Sequence, residues 1–277
     1  MAGVDRVHGN NGPWLRSSFW VGAAGVLVVL ASLELVARVG LLPARWFPPV
    51  TVVFGALGSL LPTGELWVDV GRTLQGWAVG LGIAAVLAVP VGMVIGSVDA
   101  VYRASRVVIE FLRPVPSVAL IPAAVLLFGI GTGMKVFLVA FAAFWPILFQ
   151  AIYGVQDVNP GVQETARAYG LGAVARFVWV VLPSTIAYVA TGLRISSAVA
   201  LILAVTAELV VGAAGLGRAI TAAQTAAQVP TMYALIAVTG ILGWMLNVIF
   251  STIEARLLHW HPSQREADDS GPVGVAL

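Results

Sequence analysis

The sequence predicts an all-α integral membrane protein with about six transmembrane helices. Three observations predict it. The 277 residues are 59% hydrophobic and only 10% charged, with a mean hydropathy of +0.95, whereas a soluble domain is about 45–50% apolar and about 25% charged. The apolar residues fall in runs close to the roughly 20 residues that a bilayer crossing needs. Between two of these runs lies a long polar, helix-prone segment, 156–185, which contains Glu164-Thr-Ala-Arg-Ala-Tyr-Gly170 and closes on Val180-Val-Leu182-Pro183.

Taken in order, residues 1–17 form a polar N-terminal segment, and a first span runs near 18–39. The basic start resembles a signal-peptide n-region. No A-x-A cleavage site follows, however, and the apolar run continues past Glu34, so a retained anchor is expected. A proline-rich connection, Leu42-Pro43 to Pro48-Pro49, follows. The second span, near 73–97, carries Gly76, Gly80, Gly92 and Gly96, two G-x-x-x-G spacings that allow close helix approach. Packing within the chain and a dimer seam are both open there.

Arg103, Arg106 and Arg113 mark a basic loop. The third span, near 115–130, holds Pro114, Pro116 and Pro122 at or beside it, and is expected to be kinked and surrounded by protein. Gly129, Gly131 and Gly133 turn into a fourth span near 135–154. After the polar segment come a fifth span, near 187–212, and a sixth, near 232–255. The apolar membrane unit thus covers 18–258, and 259–277 is a polar tail with a disordered composition. No internal repeat and no soluble domain are visible.

The arginines fix an orientation. With the N-terminus in the cytoplasm, Arg6, Arg16, Arg103, Arg106, Arg113, Arg167, Arg176, Arg194, Arg256 and Arg265 fall inside. Arg38, Arg45, Arg72, Lys135 and Arg218 fall outside. This positive-inside bias puts both termini, and the 156–185 segment, in the cytoplasm. Trp14, Phe19, Trp20, Trp46, Phe47 and Trp260 lie near the interfaces, as an aromatic belt does. Trp77, Trp145, Trp179 and Trp244 read as packing residues.

Several functions are excluded by what the chain lacks. A net charge of +2 does not suggest nucleic-acid binding. Without cysteine there are no disulfides or thiolate metal sites. His8, His259 and His261 are the only histidines. The H-x-H formed by His259 and His261 has too few ligands for a metal site and reads as tail. A P-loop needs Gly-Lys before Ser or Thr. The only lysine, Lys135, stands between Met134 and Val136. The chain therefore carries no ATPase of its own, no metal and no cofactor are expected on it, and the spans hold almost no convergent acids or bases for an enzyme.

The polar segment has a physical reading. Asn159 suits an N-cap and Pro160 the first helical position. Glu164 lies near that helix's positive end, and Gly170 suits a left-handed C-cap. A second short helix is expected from about Ala173 to Val181, stopped by Pro183. Small side chains at Ala166, Ala168 and Gly170 would let this helix-turn-helix seat in a partner's groove. An amphipathic interfacial connector is the competing reading.

Glu164, Ala166, Gly170, Leu182 and Pro183 also fall on a known pattern: E-A-A, three residues, G, nine residues, I-x-L-P. Thr165 replaces the first alanine of that pattern and Val180 its isoleucine, both mild changes. On these residues the chain resembles ABC-importer permeases of the binding-protein-dependent class. Within that class it is similar to the subfamily serving taurine, aliphatic sulfonates and nitrate. The likeness runs over roughly 30–258. It includes Glu34 to Pro43, Leu112 to Pro122, Phe128-Gly-Ile-Gly131, Lys135, Gly192-Leu-Arg194, Ala207-Glu208 and Gly215-Leu-Gly217.

The resemblance implies a type I importer permease fold in the bacterial inner membrane, with membrane lipid around it. It implies ATPase coupling through Glu164, Thr165, Ala166, Gly170, Leu182 and Pro183. Its implied partners are a second permease copy, two copies of an ATPase that carries ATP and Mg, and an extracytoplasmic solute-binding protein. The implied cargo is a sulfonate-, taurine- or nitrate-like anion, with a vitamin precursor or other heterocycle as the alternative. A proton-coupled secondary transporter is a further alternative, but such proteins often show inverted repeats.

Pathway candidates are Glu208, Gly212, Gly215, Gly217 and Pro116. A carboxylate at the depth of Glu208 costs about 2.5–3.5 kcal/mol on insertion scales, so it must face a cavity or a partner. Structural hydrogen bonding, gate lining and direct solute contact are all open for it. Gly212, Gly215 and Gly217 read either as a flexible outer gate or as turn glycines. Glu34 reads as a packing or interfacial residue. Arg194 reads as snorkelling to the interface or contacting an anion on exit.

Overall fold

Small residues recur at every fourth position on the second span, and they set the centre of the fold. Gly76, Gly80, Ala84, Ala88, Gly92 and Gly96 line one side of helix α3 (Gly64–Ser97), the spacing that keeps residues on one helix face. That side lies directly on helix α6 (Thr132–Gln156). A Cβ built at Gly80 would stand 2.5 Å from Val139 Cγ1 and 3.0 Å from the Val136 carbonyl; one at Gly92 would stand 2.6 Å from Ala151 Cβ. The glycine spacings therefore serve packing between two helices of this chain.

The computed structural model describes residues 14–41, 43, 45–112 and 115–257. The N-terminal segment to residue 13, Arg113, Pro114 and the tail from 258 lie outside the described residues, and so do the side chains of 14–19. Expectations for Arg6, His8, Trp14, Arg16, Phe19, Leu42, His259, Trp260, His261 and Arg265 fall there.

The described residues form helices and turns. Helix α1 spans Trp14–Arg38 and α2 Val50–Leu60. Helix α4 spans Asp99–Leu112. A short 3₁₀ turn, Ser117–Leu120, then leads into α5 (Ile121–Phe128). Helices α7 (Pro160–Ala168) and α8 (Ala173–Arg176) occupy the polar segment. A π-helical turn (Phe177–Val181) joins α8 to α9 (Leu182–Val211). Helices α10 (Leu216–Thr225) and α11 (Val229–Leu257) complete the chain. Five of the helical stretches are long and apolar enough to cross a membrane; a sixth crossing results if α4 and the 117–128 stretch, bent by 79°, count as one broken span.

Side-chain pairs give the helix directions. Gly76 meets Lys135 and Gly96 meets Val155, so α3 and α6 run parallel. The broken α4–α5 stretch must therefore carry the chain back along their length. Lys135 meets Glu208 while Asp157 meets Tyr188, so α6 and α9 are antiparallel. Arg194 pairs with Glu254 at 3.2 Å and Gly243 packs on Leu201, so α11 is antiparallel to α9 and ends beside the first turns of α9.

Four expectations change. The basic stretch around Arg103 and Arg106 is not a loop but the amphipathic helix α4. Asp99, Arg103, Arg106 and Glu110 share one face, Ile109 packs inward, and Arg106 pairs with Glu110 at 2.7 Å. Charge alone concealed its helical period. Pro183 does not stop a helix. It sits in the first turn of α9, and the i→i−5 turn before it absorbs the missing N–H, with Leu182 N–H donating to the Phe177 carbonyl. The second span begins at Gly64, nine residues before the expected 73, because Glu65 and Asp69 fit a helix end outside the apolar run. Trp179 and Trp244 are exposed rather than packed, whereas Trp77 donates to the Ser197 carbonyl at 3.0 Å.

Candidate functional site

The polar segment is built by its caps. The Asn159 side chain accepts a bond from Gly161 N–H at 2.8 Å, satisfying an orphan donor of α7. Pro160 occupies the first turn, where no N–H is needed. At the other end Gly170 takes φ +78°, Gly170 N–H donates to the Arg167 carbonyl at 2.9 Å, and Leu171 N–H donates to the Ala166 carbonyl at 3.0 Å. These two bonds are the Schellman motif, which turns the chain sharply out of α7. Glu164 lies mid-helix, so the helix dipole does not act on it as the sequence suggested.

Among the coupling candidates, Ala166 is buried and Leu182 half-buried. Glu164, Thr165, Gly170 and Pro183 are exposed, and Thr165 Oγ1 bonds back to the Gly161 carbonyl at 2.8 Å. Between α7 and the π turn opens a groove of about 570 Å³, lined by Thr165, Ala166, Tyr169, Leu171 and Val180. Tyr169 and Val174 beside it are 81% and 78% exposed. The base of the segment is tied to the spans where Tyr188 Oη donates to Asp157 Oδ2.

At the far end of α6, about 33 Å from Asp157 at about 1.5 Å rise per residue, lies a buried polar cluster. Glu208 (α9) and Thr73 (α3) are 0% exposed and Lys135 (α6) is 1%. Lys135 Nζ donates to Glu208 Oε1, to the Ala214 carbonyl at 2.9 Å and to the Arg72 carbonyl at 3.1 Å. Thr73 Oγ1 donates to the Glu208 carboxylate, 2.9 Å from Oε2, and accepts from Leu216 N–H at 2.9 Å. Gly217 N–H donates to Glu208 Oε2 at 3.0 Å. All three ammonium donors and both carboxylate oxygens are engaged, which is the condition for tolerating charges out of water.

The glycine candidates form the turn around this cluster. Gly212 ends α9 in the left-handed region at φ +73°, and Gly215 has φ +148°. A Cβ at Gly215 would stand 2.1 Å from Glu208 Oε1, and one at Gly217 would stand 2.5 Å from the Val205 carbonyl, so only backbone fits. Glu208 is thus joined to Gly215 and Gly217; Pro116, exposed at the start of the 3₁₀ turn, lies apart in sequence and element. The sequence missed Lys135 and Thr73 as partners of Glu208. Lys135 had been counted among the charges of the outer side, but its stem lies along Gly76 in the core. The available signal was the sole lysine at the start of a span, since an intramembrane acid calls for a partner of opposite charge.

Two other ionisable residues are also held within the chain. Glu34 accepts from Arg38 Nε at 2.6 Å, from Thr51 N–H at 3.1 Å and from Thr51 Oγ1 at 3.0 Å, fastening α1 to the start of α2. Arg194 does not simply snorkel, because Glu254 and Asn247 of α11 hold it, at 3.2 and 3.3 Å.

Apolar spans and outward-facing apolar side chains, with a capped polar helix pair at one end and a sealed ion pair at the other, define a multi-pass membrane protein. The chain belongs to the family described as binding-protein-dependent transport system inner membrane component, whose model matches residues 88–259. It is 29% identical to the putative aliphatic sulfonates transport permease protein of Escherichia coli, over 90% of this chain and 94% of that one. It is 30% identical to the taurine transport system permease protein of Escherichia coli, over 86% and 88%. It is 29% identical to the nitrate import permease protein of Leptolyngbya laminosa, over 73% and 72%. The fold is that of a chain in the inward-facing MetNI methionine ABC transporter, with TM-score 0.62 at 19% identity, covering 71% of this chain and 99% of that one. This protein is accordingly a permease component of an ABC importer in the inner membrane.

Proposed function

We propose that this permease is driven by a separate ATPase that seats on α7–α8, and that it works as a homodimer with two ATPase copies carrying ATP and Mg. The single observation that carries this reading is the α7–α8 pair itself. Helix α7 is capped at both ends, the groove beside it holds about 570 Å³ next to exposed Tyr169 and Val174, and its base is tied to α9 through Asp157 and Tyr188. The arginine count supports a cytoplasmic placement of this end and of both termini. The solute-binding protein then meets the opposite end. There a cavity of about 550 Å³ presents Glu65, Asp69, Arg218 and Gln228 to a protein partner.

The relatives' names make a small anion of the sulfonate, taurine or nitrate kind the first solute class to test, and an uncharged heterocycle the second. The ligand that raises the melting temperature of the cognate binding protein decides between them. Docking is tested with Gly170→Trp, which places a large side chain on the exposed turn at a left-handed position. The variant is expected to insert normally and to lose co-purification of its ATPase. Undiminished co-purification would contradict α7–α8 as the docking element.

A further inference from the structure

Burying a lysine and a glutamate is not a requirement for stability, since apolar residues of similar volume serve a core equally well or better. In some proteins, charged groups at such a site instead specify one arrangement over its competitors. Here the arrangement they specify is unusual in where its parts come from. Thr73, Lys135 and Glu208 belong to three different spans, and every remaining bond of the cluster goes to backbone. Arg72 O lies on α3; Ala214 O lies in the turn from α9 into α10, and Leu216 N and Gly217 N are the first amides of α10. The glycines complete the fit, because a Cβ at Gly215 or Gly217 would overlap Glu208. Three helices thus converge on one short turn and hold it at Ala214 O and at the first two amides of α10. Among the described residues no comparable polar cluster joins this unit to α2, which has no buried side chain and meets it through Leu60.

We propose that Lys135 and Thr73 are positioning residues for transport: with Glu208 they clamp the 212–217 turn, so that α10 moves with α3, α6 and α9 as one body. The proposal rests on the transport function given above. In a chain so clamped, a displacement entering at α7–α8 is carried along α6 and α9 to α10 without being lost in a loose turn. The 212–217 glycines then act as a fixed joint, and opening occurs elsewhere. Lys135 does so without touching the solute, since its three donors are already taken by Glu208, Arg72 and Ala214.

The chain has no cysteine, which makes the test direct. Val68→Cys on α3 and Gln224→Cys on α10, both exposed, carry spin labels for distance measurement in nanodiscs. The same clamp variants are reconstituted without labels, with ATPase and binding protein, to measure solute moved per ATP. The decisive variant is Lys135→Met with Glu208→Gln, which leaves no lone buried charge. Its melting temperature should stay within a few degrees of the parent, while its distance distribution broadens and its solute-per-ATP ratio falls by about tenfold, in line with loss of a coupling device. Thr73→Val should do the same in milder form, and Thr73→Ser, which keeps the hydroxyl, should restore both. Unchanged distances and coupling in the double variant and in Thr73→Val would overturn the clamp. If the parent shows no transport dependent on ATP and binding protein, the functional assignment fails, and the label distances still decide whether the cluster holds α10.

Discussion

Two positions on α3 separate packing from propensity. Gly80 has no room for a side chain, with Val139 and the Val136 carbonyl within 3.0 Å of a built Cβ, while Gly82 has nothing within 4 Å. Gly80→Leu is expected to destabilise by about 1–3 kcal/mol through overpacking. Gly82→Ala should be neutral or stabilising by up to about 1 kcal/mol. Thermal unfolding in detergent checks both. The same method applies to the buried pair. Glu208→Gln alone leaves the Lys135 charge without its counter-ion, and breaking such a pair from one side costs about 3–5 kcal/mol. A drop below 1 kcal/mol would mean that Lys135 finds another partner. At this scale the sequence exposed one half of the pair. Glu208 stood out because an acid inside a span demands explanation. Lys135 is 73 residues away from it and Thr73 135 away, separations no local pattern bridges.

Among the elements, α7 was the most legible. Its caps are local chemistry: Asn159 and Pro160 at the start, a glycine free to take φ +78° at the end. Asn159→Ala should cost about 1 kcal/mol and Gly170→Ala roughly 1–2 kcal/mol. Both losses should appear as faster amide hydrogen exchange across 160–171, with exchange in α6 unaffected. Protection unchanged in both variants would show that α7 is held by something other than its caps. Elements were misread where charge or proline overrode periodicity. Arg103 and Arg106 suggested a loop, although their spacing with Asp99 and Glu110 is helical. Pro183 suggested a stop, because a sequence does not reveal that the preceding turn is a π turn into which a proline fits.

For the whole molecule, composition alone gave the membrane and the number of spans to within one, since the bilayer sets a length that apolar runs must meet. The arrangement of the spans was out of reach. Which glycine face meets which helix depends on the parallel pairing of α3 with α6, made possible only because the broken α4–α5 stretch returns the chain. The resulting body has a capped polar helix pair at one end of α6 and α9 and a closed ion-pair cluster at the other. On the function proposed above, energy from a partner enters at the first end and passes along its length. The most direct measurement of that claim is solute uptake into proteoliposomes, comparing the chain alone with the chain plus its ATPase and binding protein. Uptake should occur only in the complete assembly, should require ATP, and should be lost with Gly170→Trp. Uptake by the chain alone, driven by a proton gradient and indifferent to ATP, would contradict it.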